Sequence, residues 1–204
     1  MLIDLTHLIQ DDMPVYPGDN RTEFRQTRHL SKDHYTNHQL SVNMHAGTHI
    51  DGPMHLLDTD KRLSDFPLDT FIGAGCVLDV TGEAVIDYKA EYEEAIPEHV
   101  IVLFHTGYSR RFGQEEYFTD YPVLTEKLAE LLVRKQVKMV GLDTPSPDKY
   151  PFHVHKLLFR SGILIAENLT NLGRLPASAS FEVIALPLHI GADSSVARVV
   201  ARVL

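Results

Sequence analysis

Between His45 and His55 the chain reads His-Ala-Gly-Thr-His-Ile-Asp-Gly-Pro-Met-His, placing three imidazoles and a carboxylate among two glycines and a proline. Gly47, Gly52 and Pro53 oppose a helix here, since glycine costs about 1 kcal/mol and proline about 3 kcal/mol in a helix interior. The spacing of His45 and His49 would suit the zinc helix His-Glu-x-x-His, but Ala46 stands where that motif needs its general-base glutamate. Upstream, Leu40, Val42 and Met44 alternate with Ser41, Asn43 and His45, the period-two pattern of a half-buried strand. The expectation is a strand that ends at His45 and runs into a rigid loop. If the backbone stays extended through Asp51, then His45, His49 and Asp51 share one face and converge. Imidazole nitrogen and carboxylate oxygen are the donors of Zn²⁺, Mn²⁺ and Fe²⁺, and catalytic sites combine about three of them with an open position for water.

A second chemistry-bearing stretch follows Pro151. That proline marks a helix start, Leu157 and Leu158 fall within the helix, and Gly162 lies past its end, before an apolar strand Ile163–Glu167. His153 and His155 both belong to this helix, and the residues alone do not choose between them. Glu167 closes the strand, where an unpaired carboxylate is costly to bury. It therefore binds a metal, pairs with an arginine or caps a loop.

Alternation and apolar runs predict further strands at Ile3–Ile9, Thr22–His29, Gln39–His45, Gly75–Val80, His99–His105, Met139–Leu142, Phe181–Pro187 and Ala197–Leu204. The clearest helix spans Pro122–Gln136, with leucines at three-and-four spacing, and a shorter one runs Tyr88–Glu94. Many strands and few helices give an α+β chain built on a mixed sheet or barrel. At 204 residues, 44% hydrophobic, the sequence supports one sizeable core and reads as one domain over 1–204.

Composition also narrows the partners. A formal charge of −9 argues against nucleic acid, whose phosphates require a basic surface. Arg110-Arg111 is too short for such a patch and reads as a solvated loop or a contact for an anionic substrate. No apolar run approaches eighteen residues and no charged leader precedes one, so a cytoplasmic, membrane-free protein is expected. Cys76 is the only cysteine, in a strand-like setting that suits a core residue better than a catalytic thiol.

The pattern His-x-Gly-Thr-His-x-Asp-x-Pro-x-His over 45–55 resembles the signature of the cyclase-like metal-dependent hydrolases. Its members include the bacterial kynurenine formamidases, arylformamidases of tryptophan catabolism, with isatin hydrolases as relatives. Ile3-Asp4-Leu5-Thr6-His7 and Pro14-Val15-Tyr16-Pro17-Gly18-Asp19 are similar to the family's N-terminal strand and substrate loop. His153–Leu158 with Ile163–Leu169 resembles its second metal segment. The resemblance implies a swivelling β/β/α fold and two divalent ions per subunit, Zn²⁺ or alternatively Mn²⁺. It places His45, His49 and Asp51 on one ion, with Asp51 bridging to a second ion that His155 binds and Glu167 reaching both. His55 becomes the proton donor and acceptor. Tyr16 becomes the substrate-binding aromatic, in a loop where the formamidases carry a tryptophan; this chain has none. The implied activity is hydrolysis of a non-peptide carbon–nitrogen bond in an N-formylkynurenine-like small molecule by a homo-oligomer, dimer or tetramer. Ring opening of an isatin-like lactam, or ester or lactone hydrolysis, is the alternative within the class. A metal-binding protein without turnover is the alternative outside it.

Overall fold

Short apolar segments, each too short to bury itself, are gathered into one sheet. A computed structural model describes residues 1–176 and 179–204. The strands are β1 (Leu2–Asp4), β2 (Glu23–Arg28), β3 (Asn37–Ser41), β4 (His49–Asp51), β5 (Ile72–Asp79), β6 (Val85–Ile86), β7 (Ile101–His105), β8 (Val123–Leu124), β9 (Met139–Leu142), β10 (Leu164–Glu167), β11 (Phe181–Pro187) and β12 (Ser194–Val203). The α-helices are α1 (Leu30–Asp33), α2 (Tyr92–Ala95), α3 (Glu126–Arg134) and α4 (His153–Arg160).

Eight strands join in the order β1-β12-β11-β5-β7-β9-β10-β4, and β4 also pairs with β12. The ring β12-β11-β5-β7-β9-β10-β4 therefore closes into a barrel, the mixed α+β architecture of the swivelling β/β/α type. Strand β12 spans two neighbours along one side, with Val200–Arg202 against β1 and Ser194–Val196 against β4. Strands β5, β7, β9 and β10 run parallel.

Parallel strands buried on both faces read as continuous apolar runs. In β7, Ile101 and Leu103 enter an inner cluster with Ile50, Met139, Ala166, Val183 and Val199. Val102 and Phe104 join an outer cluster with Leu128, Leu131, Leu158 and Ile165. Helices α3 and α4 cover that outer face. The Thr125 hydroxyl caps α3 by accepting from Leu128 N–H at 3.2 Å, satisfying one of the free donors of its first turn. No helix among the described residues is long and apolar enough to cross a membrane.

Several boundaries differ from the sequence expectation. Pairing of β3 stops at Ser41 instead of continuing to His45, because the Asn43 side chain accepts the His45 N–H at 2.9 Å and turns the chain. The expected helix from Pro122 starts at Glu126, since Val123 and Leu124 pair with β6. The Tyr88 helix shortens to Tyr92–Ala95, the Pro151 helix begins at His153, and the first strand ends at Asp4.

Gly75 lies under the ring of Phe181 where β5 runs beside β11, and an added Cβ would overlap that ring. Gly75→Ala is expected to cost about 1–3 kcal/mol by overpacking. Thermal denaturation should show a loss of several degrees, at roughly 2–4 °C per kcal/mol for a chain of this length. An unchanged midpoint would mean that Phe181 moves freely.

Strands β2 and β3 form a separate two-stranded ribbon in which every residue is exposed. Phe24 and Leu40 stand opposite one another in it, and α1 at its tip buries nothing.

Candidate metal centre

Three-residue β4 sets the geometry. Alternation sends Ile50 into the barrel interior and puts His49 and Asp51 together on the outer face. On the neighbouring strand Glu167 stands directly opposite His49. Helix α4 packs over this face and delivers His155, which is 2% exposed, whereas His153 on the same helix faces solvent. Glu167 Oε1 lies 3.2 Å from His155 Nε2, and its Oε2 lies 3.4 Å from His49 Nε2.

His45 arrives from the Asn43 turn and not from a strand end. Its Nδ1 lies 3.0 Å from Asp51 Oδ1, so the expected convergence occurs through the turn rather than through an extended backbone. Gly47, at φ +61, supplies the left-handed conformation that brings the chain round into β4. His55 ends a short 3-10 turn that starts at Pro53, and its ring lies 4.3 Å from that of His45.

Three donor groupings result, each with its atoms within 4.8 Å of one another: His45, His49 and Asp51; Asp51, His155 and Glu167; and His45, His55 and Asp193. Asp51 belongs to two of them. His49 and Asp51 are each 1% exposed, and His49 Nε2 and Asp51 Oδ1 have no hydrogen-bond partner among the described residues. His45 Nδ1 and His49 Nε2 come within 3.0 and 3.3 Å of that oxygen, but without hydrogen-bond geometry. Buried polar atoms are rarely left unpaired, and an ion is one of the things that satisfies them. The residues present therefore fit a divalent cation in donor type, burial and spacing.

The protonation pattern of these groups is set by burial against charge. Burial pushes the His45 imidazole down, but Asp51 and Asp193 outweigh it and raise it to about 10. His155 follows the same balance, with Asp148 and Glu167 carrying it to about 9. His55 goes the other way. Burial holds it below the ordinary histidine value despite the nearby Asp51 carboxylate.

Two carboxylates escaped the sequence reading. Asp193 Oδ2 lies 3.0 Å from His45 Nε2 and 3.5 Å from His55 Nδ1. Asp148 accepts a 2.5 Å hydrogen bond from His155 Nδ1 and so turns Nε2 toward Glu167. Such carboxylate–histidine contacts fix tautomer and ring orientation at metal sites. Local spacing gives no sign of Asp193, which reaches the site from the far end of the chain.

A cavity of about 200 Å³ opens over the centre. Tyr16, Phe118, Phe152 and Leu56 form its apolar walls, and Asp19 also lines it. Tyr16 meets Phe118 edge-on at 5.7 Å between ring centroids. Phe104, in contrast, is core, while Tyr108 and Phe112 pack with Tyr117 and Tyr121 in a separate cluster. Arg110 and Arg111 are exposed and line another hollow. Cys76 faces the Ala95 carbonyl, and burial raises its thiol above the usual range, away from nucleophilic thiolate chemistry.

The family described as "Putative cyclase" matches residues 3–149. A protein named kynurenine formamidase from Bacillus thuringiensis (strain Al Hakam) is 31% identical over 206 residues, covering 98% of this chain and 96% of that protein. The kynurenine formamidase of Salinibacter ruber (strain DSM 13855 / M31) is 29% identical over 210 residues, with coverage of 98% and 97%. Among solved structures, isatin hydrolase A from Labrenzia aggregata bound to benzyl benzoate superposes with a TM-score of 0.87 at 25% identity, covering 98% of this chain and 93% of that one.

Proposed function

Because this chain belongs to the cyclase family of metal-dependent hydrolases, which includes kynurenine formamidases and isatin hydrolases, we propose that it is an arylformamidase cleaving N-formylkynurenine-like substrates. The whole of 1–204 serves as one catalytic unit in this reading. The observation that carries it is Asp51, buried, incompletely hydrogen-bonded and common to two donor groupings beneath an aromatic-walled cavity.

In this reading His45, His49 and Asp51 hold one divalent ion, Zn²⁺ or Mn²⁺, while Asp51, His155 and Glu167 hold a second. When bound, such ions acidify water toward a pKa of about 7 and polarise a carbonyl. The protein's own groups do the rest. Tyr16, Phe118 and Phe152 enclose the aryl ring, and Tyr16 supplies the stacking that the family's tryptophan gives elsewhere, an aromatic pair being worth roughly 0.5–1.5 kcal/mol beyond burial. Asp148 and Asp193 hold the His155 and His45 rings in position. His55 takes the proton from the attacking water and passes it to the departing aryl nitrogen, so that formamide and water become amine and formic acid, which releases its proton to solvent as formate.

The test is release of kynurenine from N-formylkynurenine by protein reconstituted separately with Zn²⁺ and Mn²⁺. No release by either fully loaded form would overturn the assignment. Isatin ring opening is the second reading, favoured by the likeness to isatin hydrolase A, and the same preparations with isatin decide it.

The exposed ribbon supports assembly. An isolated two-stranded hairpin is marginal in water, and Phe24 and Leu40, opposite one another and 38% and 44% exposed, leave this one with apolar surface facing outward. A second copy of the chain is the proposed cover, making a dimer or a tetramer. Phe24→Asp combined with Leu40→Asp should reduce the mass measured by light scattering to that of a monomer. A wild-type protein that is already monomeric at micromolar concentration removes this part of the proposal.

A further inference from the structure

The His49 ring is held from behind by the carbonyl oxygen of Gly47, which lies 2.7 Å from its Nδ1. A carbonyl only accepts, so Nδ1 carries a proton and Nε2 is the nitrogen turned toward Asp51 and Glu167. The same oxygen accepts a second hydrogen bond, at 3.0 Å, from Asn168 Nδ2. The amide of Asn168 is fixed in that sense by the Tyr117 hydroxyl, which donates to its Oδ1 at 2.8 Å. The Thr48 hydroxyl donates to the Asn168 carbonyl at 2.6 Å and ties the next residue of the loop to the same place.

Burial gives this chain of contacts its weight. Tyr117 is 0% and Asn168 3% exposed, so neither amide nor hydroxyl can exchange its partner for solvent without cost. Asn168 follows Glu167 at φ +53, a left-handed conformation that asparagine tolerates better than most residues, and its side chain crosses from the end of β10 to the loop before β4. Gly47 has no side chain with which to hold its own peptide plane. Its carbonyl is steadied by Asn168.

Resting on the reading of His45, His49 and Asp51 as ligands of one ion, we infer that Asn168, locked by Tyr117, is a positioning residue for the metal centre. It fixes the Gly47 carbonyl and, through it, the tautomer and orientation of His49. Asp148 and Asp193 do the same for His155 and His45 with carboxylates. His49 already has Asp51 and Glu167 against it, and an uncharged acceptor behind the ring adds no further negative charge to that pair.

Zn²⁺ titration of the isotope-labelled full chain against a competing chelator, read by NMR at the ring nitrogens of His49 and His155, follows the two ions separately and needs no substrate. Asn168→Gly keeps the left-handed backbone and removes the amide, whereas Tyr117→Phe keeps the ring and removes only the hydroxyl. Asn168→Gly is expected to weaken Zn²⁺ at His49 by about 10–100-fold, the range for loss of a group that orients a ligand, and by at least about tenfold more than at His155. Tyr117→Phe should weaken it there by about two- to tenfold, the effect of one hydrogen bond. In both variants the His49 Nδ1–H resonance should shift upfield or broaden as its acceptor loosens. Wild-type affinity at His49 in both variants would overturn the inference. So would an equal loss at His49 and His155 with the Nδ1–H resonance unchanged, which would leave Asn168 as no more than the end of β10. Should Asn168→Gly fail to fold, Tyr117→Phe alone decides. A wild-type chain that takes up no Zn²⁺ at His49 would remove the ligand reading and the inference together, whereas variants that match a loaded wild type remove the inference alone.

Discussion

His55→Ala is expected to keep its metal and its thermal midpoint while losing turnover by roughly 10²–10⁴-fold, the range for removal of a general acid or base. Burial lowers the His55 imidazole below its ordinary value and leaves it neutral near pH 7, able to accept a proton. Asp193 Oδ2 lies 3.5 Å from its Nδ1. The ring lines the cavity, between His45 and His155. Metal content by elemental analysis must be read together with kcat. Loss of an ion alongside activity would make His55 a ligand in the grouping it shares with His45 and Asp193. Undiminished kcat would remove it from the mechanism.

Asp51→Asn should have the widest effect on metal content. Changes that merely disturb the groups supporting a ligand cost about 10–100-fold in affinity. A carboxylate that belongs to both buried groupings should cost more than about 100-fold at each, on the same scale. Dialysed Asp51→Asn is therefore expected to retain little of either ion, where His49→Ala should spare the His155 and Glu167 side. Wild-type stoichiometry in Asp51→Asn would contradict a shared ligand.

Local order made much of this centre legible. The two-residue step from His49 to Asp51 implies a common face wherever the chain is extended, and β4 is extended there. The apolar approach to Glu167 marked a buried strand end. His45 was a different case, because the period-two pattern from Leu40 to Met44 continues beyond the true end of pairing. Only the Asn43 side chain, accepting the His45 N–H, shows that the backbone turns. A strand of three residues has no readable period, so in the sequence β4 reads as part of the loop after His45. Val123 and Leu124 fit a helical stripe equally well and became a strand only through pairing with β6, a contact that local propensity cannot express. Asp148 and Asp193 lay outside any motif, since their value comes from tertiary placement beside histidines. The resemblance supplied the choice of His155 over His153, and burial separates the two in the same direction.

The brevity of β4 ties occupancy of the centre to the integrity of the barrel. These three residues are the seam between β10 and β12, and two of them carry candidate ligands. An ion held there would staple a seam that has only three backbone pairs on each side. With the staple gone, opening would expose the free edges of β10 and β12, and unpaired strand edges are templates for intermolecular association. Prolonged chelation is therefore expected to act as a solubility hazard, with amide exchange accelerating first at His49–Asp51 and precipitation following before the helices melt.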